Sequence, residues 1–109
     1  MEKGTKEFRN EYNRYVLKFL IDNYYISRIE LSKAIGLASS YVREFDNGTR
    51  NFGTEALDRF EDMVFSKYEP LLLNHSFELE QIKKMISELN TPEEIDRFRL
   101  KGANALELN

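Results

Sequence analysis

Ser27-Arg28-Ile29-Glu30-Leu31-Ser32-Lys33-Ala34-Ile35-Gly36-Leu37-Ala38-Ser39-Ser40-Tyr41-Val42-Arg43-Glu44-Phe45-Asp46-Asn47-Gly48-Thr49-Arg50-Asn51 is the most informative run of this chain. Ser27 and Glu30 fit a capping box, in which the Ser hydroxyl takes a first-turn N–H and the Glu reaches back. A short helix with Ile29, Leu31 and Ile35 apolar follows. Gly36 supplies the left-handed backbone of a tight turn. A second short helix, Ser39 to Phe45, buries Val42 and Phe45, and Asp46-Asn47-Gly48 stops it with turn chemistry. The spacing sets Leu31, Ile35, Leu37, Val42 and Phe45 where two short helices pack together. That is a helix-turn-helix arrangement, whose second helix enters the major groove of DNA.

Apolar residues also recur at helical steps on both sides of this run. Phe8, Tyr12, Tyr15, Val16, Phe19 and Leu20 predict a first helix from about Thr5 to Asp22, ended by Asn23-Tyr24-Tyr25. Thr54 is placed to cap a fourth helix carrying Leu57, Phe60, Met63 and Val64, expected to fade near Tyr68-Glu69-Pro70. Beyond Pro70, Leu79, Ile82, Ile86 and Leu89 form an a/d seam that Leu72 extends back by one heptad. Thr91-Pro92-Glu93-Glu94 is a strong helix start, with Ile95 and Phe98 to bury, and Lys101-Gly102 ends that helix before a loose tail. No segment alternates as a strand would. The expected fold is all-α, with a helix-turn-helix domain over residues 1–69 and a helical extension over residues 70–109.

The residues around the turn resemble the phage-repressor/Cro type, or xenobiotic-response-element type, of bacterial and phage regulators. The resemblance rests on Leu31-Ser32 with its small second residue, on Gly36 followed by Leu37, and on the aliphatic Val42. Asp46-Asn47-Gly48-Thr49-Arg50 matches the acidic-x-Gly-basic ending, and Leu57 and Phe60 match the next helix. It runs from about Phe8 to Phe65, roughly half the chain, and implies a lambda-repressor-like bundle. It also implies base reading by Ser39, Ser40, Arg43 and Glu44, and phosphate contact by Arg28, Asn47, Thr49 and Arg50, with Tyr41 suited to either task. Residues early in an inserted helix reach base edges, while helix N-termini and flanking loops meet the backbone. The sequence departs from the family pattern at Ala38, where a Ser or Thr cap is usual, which moves the expected cap to Ser39. It departs again at Ser39-Ser40, whose short hydroxyls discriminate bases poorly, and at Phe52, where Pro is common.

Composition bounds the alternatives. The chain has 109 residues, 41% hydrophobic and 32% charged, the profile of one globular domain. Cysteine is absent, which excludes disulfides, thiolate metal sites and cysteine nucleophiles. No apolar run spans a bilayer and no secretory signal opens the chain, so a cytoplasmic protein is expected. Residues 1–50 carry a net +2 and residues 51–109 a net −5. An acidic chain is a poor prior for nucleic-acid binding, so that reading rests on the local motif.

Catalysis is not expected: there is no glycine-rich phosphate loop and His75 is the only histidine. No cofactor or metal is expected. Arg43 also reads as an ion-pair partner of Glu44 or Asp46, Arg28 as a mere neighbour of the capping box, Tyr24-Tyr25 as packing at the domain edge, and His75 as a surface or heptad-edge residue. The Leu72–Leu89 seam reads either as monomer core or as a dimer interface. The leading expectation is a dimeric repressor from a phage, mobile element or bacterial chromosome, occluding a promoter by binding a double-stranded operator. The alternative is a protein-interaction module (antitoxin, antirepressor or nuclease inhibitor) meeting its partner through the acidic C-terminal half.

Overall fold

The computed structural model describes residues 1–101, and these form six α-helices and no strand. They are α1 (Lys6–Tyr24), α2 (Arg28–Ile35), α3 (Ser39–Asp46), α4 (Thr54–Leu73), α5 (Ser76–Ser87) and α6 (Pro92–Lys101). The expected tail after Gly102 lies outside the described residues.

The helix ends follow local chemistry. Thr5 Oγ1 accepts the Phe8 N–H at 3.2 Å to start α1, and Tyr25, at φ 57°, turns the chain left-handed to end it. Ser27 Oγ accepts the Glu30 N–H at 3.0 Å, but the Glu30 side chain is exposed and only half of the expected box forms. At α6 the whole box is present. Thr91 Oγ1 accepts the Glu94 N–H at 3.2 Å, and the Glu94 carboxylate accepts the N–H groups of Asn90 and Thr91 at 3.1 and 3.0 Å. These backbone donors hold the Glu94 carboxyl below its usual range.

Two expected boundaries move. Gly53 is the N-cap of α4, with Thr54 its first helical residue. The helix then runs through Pro70 to Leu73, because Pro70 removes a single donor and the residues after it still close the last turn. The expected boundary between residues 69 and 70 therefore falls inside α4.

α1 is the central element, buried on more than one face. Val16, Leu17 and Leu20 pack with Leu31 and Ile35 of α2, Val42 and Phe45 of α3, Phe52, and Leu57 and Phe60 of α4. On its other side, Phe8, Tyr15 and Phe19 pack with Leu79, Ile82 and Ile86 of α5 and Phe98 of α6. Leu79, Ile82 and Ile86 are thus closed within the chain, and Leu72 and Leu89 are half-buried at the margin. These three residues of the seam serve as the chain's own core, the first of its two readings. Tyr24 is half-buried, with its hydroxyl 2.9 Å from His75 Nε2, and His75 sits edge-on to Phe19 at 4.8 Å. Tyr25, by contrast, projects into solvent. No described helix is long and apolar enough to cross a membrane.

Candidate nucleic-acid interface

α2 and α3 are joined by Gly36, Leu37 and Ala38. Gly36 adopts φ 81° and donates to Ser32 O at 2.9 Å, and Leu37 donates to the same carbonyl at 3.1 Å. The doubly used carbonyl closes α2 tightly. Buried Ser32 leaves room for the turn, its hydroxyl returning to Ile29 O at 2.8 Å. Val42 and Phe45 then point inward, which leaves Ser39, Ser40 and Arg43 at helical steps on the outer face of α3.

The cap of α3 is Ala38, not Ser39, and no side chain accepts its first N–H groups. These donors, the exposed Ser39 and Ser40 hydroxyls and the exposed Arg43 guanidinium together form a donor-rich end. Arg43 has no ion pair among the described residues. Asp46 accepts instead from Lys18 at 2.9 Å and from Arg28 at 3.3 Å. Arg28 is therefore held toward the C-terminus of α3, and it is not a mere neighbour of the cap. Glu44 is half-buried, and its carbonyl accepts the Thr49 and Arg50 N–H groups at 3.0 and 3.2 Å.

The other expected phosphate contacts build the loop after α3. Asn47 Oδ1 accepts the Thr49 N–H at 3.0 Å and lies 2.7 Å from the Thr49 hydroxyl, an Asx turn around Gly48 at φ 82°. Tyr41 turns toward the same loop. Its oxygen accepts the Gly53 N–H at 3.1 Å, and the Arg50 guanidinium lies 4.4 Å from the centre of its ring. Phe52, where the resembled family favours Pro, is fully buried and stacks on Phe45 at 3.8 Å.

A buried charge cluster holds this loop. Arg14 donates to Phe45 O at 2.6 Å, to Asn51 Oδ1 at 2.7 Å and to Glu11 at 3.0 Å. Arg99 of α6 grips both oxygens of Glu11, at 2.9 and 2.6 Å, a bidentate pair. Asn10 accepts the Phe52 N–H at 2.7 Å and donates to the Phe52 carbonyl at 3.1 Å. Burial pushes the Glu11 carboxyl up, but the Arg99 hydrogen bonds and the Arg14 charge outweigh it and hold the group below the carboxylate range. Sequence reasoning missed these residues. The available signal was Leu17 and Ile21, apolar but off the main stripe of α1, which mark a helix covered on several sides.

Among the described residues no group of three His, Asp or Glu is placed to hold a metal ion. Comparison with family models, with curated proteins and with solved structures finds no match to this chain.

Proposed function

We propose that the chain is a sequence-specific DNA-binding transcriptional regulator of the lambda-repressor-like helix-turn-helix class, with α3 as its recognition helix. The reading is supported by one observation above all. Ser39, Ser40 and Arg43 stand exposed on one face of α3, beside uncapped backbone donors, with Arg43 free of any ion pair among the described residues. Arg43 reads a guanine edge, Ser39 and Ser40 meet bases or phosphate, and Arg28 and Arg50 approach the backbone from either side.

Two copies bind a two-fold related operator, since one such helix makes few base contacts. They repress by occluding a promoter, in the cytoplasm of a bacterial host. Leu79, Ile82 and Ile86 are taken up by the chain's own core, so the joining surface draws on other residues.

The test begins with selection of bound sequences from random DNA. Titrations on the selected duplex and on a scrambled one, at two salt concentrations, follow. Arg43→Ala is expected to weaken specific binding by about tenfold to a hundredfold, since a bidentate guanine contact is worth ~1–3 kcal/mol, and to relax preference at one base pair per half-site. Arg28→Ala is expected to weaken both duplexes alike and flatten the salt dependence. Failure of the selection to enrich any sequence would overturn the proposal.

A further inference from the structure

One side of α4 is unlike the rest of the surface. Asp58, Glu61, Asp62, Phe65, Glu69 and Leu73 fall within roughly a third of the helix circumference at about 100° per residue. No Lys or Arg of α4 shares that side, because Arg59 and Lys67 project elsewhere. The cations near it are Arg9 of α1 and Lys83 of α5, whose Nζ lies 5.0 Å from the centre of the Tyr12 ring. Phe65 is 70% exposed and Leu73 62% exposed. Beside Phe65 a groove opens between α1 and α4, floored by Tyr12, Val16, Val64 and Leu72 and flanked by Glu61 and Glu69. Arg9 neutralises Asp58 and Glu61 at 2.7 and 2.8 Å, whereas Asp62 and Glu69 have no ion pair among the described residues.

We propose that this face docks a cationic amphipathic helix of a partner protein. An apolar ridge fits the groove beside Phe65, and flanking Lys or Arg residues meet Asp62 and Glu69. The charge pattern selects this occupant. DNA is repelled by it, and a second copy of the same face would set carboxylates against carboxylates, which disfavours isologous pairing here. The groove is lined by α1 and α4 alone, so docking leaves α3 free to bind DNA at the same time.

The test uses the full chain and a fluorescent Leu/Lys peptide of about five helical turns, with Leu on one face. A scrambled peptide of the same composition is the control. Anisotropy titration is expected to give binding on the order of micromolar for the amphipathic peptide and at least tenfold weaker binding for the scrambled one. Phe65→Ser and Glu69→Lys, both at surface positions and checked for folding by circular dichroism, are each expected to weaken it about tenfold. Both variants are expected to keep the parent's DNA binding, so this proposal and the DNA-binding reading fail separately. Equal affinity for the two peptides, or unchanged affinity in Phe65→Ser, would overturn the proposal. So would a parent chain that self-associates in sedimentation while Phe65→Ser is a monomer, since the occupant would then be a second copy.

Discussion

Glu11 is the anion on which two buried or half-buried guanidiniums depend. Glu11→Gln takes from Arg14, 2% exposed, its one ion-pair partner among the described residues, and breaking a buried pair this way costs about 3–5 kcal/mol. A fall in the urea midpoint at pH 7 checks it. Because the folded carboxyl titrates below the unfolded one, acid protonates the unfolded chain first. The stability that Glu11 contributes is therefore full above the ordinary glutamate pKa of about 4.3 and is lost as pH falls through the lowered value. The gap between parent and variant is expected to narrow below about pH 4, and a gap that stays constant on acidification would contradict the ionic account. Nothing in the i, i+3 spacing of Glu11 and Arg14 announces this role, since the same pair is common on solvated helices. Arg99 lies 88 residues from Glu11, beyond the reach of any local pattern. Gly36 and Gly48, by contrast, were readable because the turn itself demands a left-handed residue.

Among the elements, α3 and its loop carry two opposed features. At its start Ala38 has extended dihedrals suited to a cap but no side-chain oxygen to offer. Ala38→Ser is expected to stabilise the fold by ~1 kcal/mol, read as a raised melting temperature. An unchanged melting temperature would mean that a serine there leaves the first-turn N–H groups unserved. After its end Gly48 combines φ 82° with close packing, and a Cβ there would lie 3.6 Å from the Arg99 side chain. Gly48→Val is expected to lose ~1–3 kcal/mol through backbone strain, measured by chemical denaturation. Gly48→Asn is expected to cost less, since Asn tolerates this region better than a β-branched residue. Capping and turn residues made α2, α3 and α6 legible to within a residue or two. α4 was less so: Pro70 reads as a stop because it removes a donor and crowds the carbonyl four residues back, yet the helix continues through it, and Leu72 beyond it is packed against both apolar clusters.

For the whole molecule, α1 decides what can be removed. An a/d seam states that α5 has an apolar face but not which helix that face meets, and here it meets α1 of the same chain. Ending the chain at Tyr68 therefore uncovers Phe8, Tyr15 and Phe19 and deletes Leu79, Ile82, Ile86 and Phe98. Burying a large apolar side chain contributes about 1.5–3 kcal/mol, so the loss of four rivals the net stability of a typical domain, about 5–15 kcal/mol. The truncation also removes Arg99, leaving Glu11 with Arg14 alone inside α1. The shortened chain is expected to show weak helical dichroism, no cooperative melting transition and aggregation on gel filtration, whereas the full chain melts cooperatively. On the proposed reading, DNA binding is lost with it, although every residue of α2 and α3 remains. A shortened chain that melts cooperatively near the full chain's temperature would show that the first apolar cluster is sufficient, and would make residues 70–109 a detachable arm.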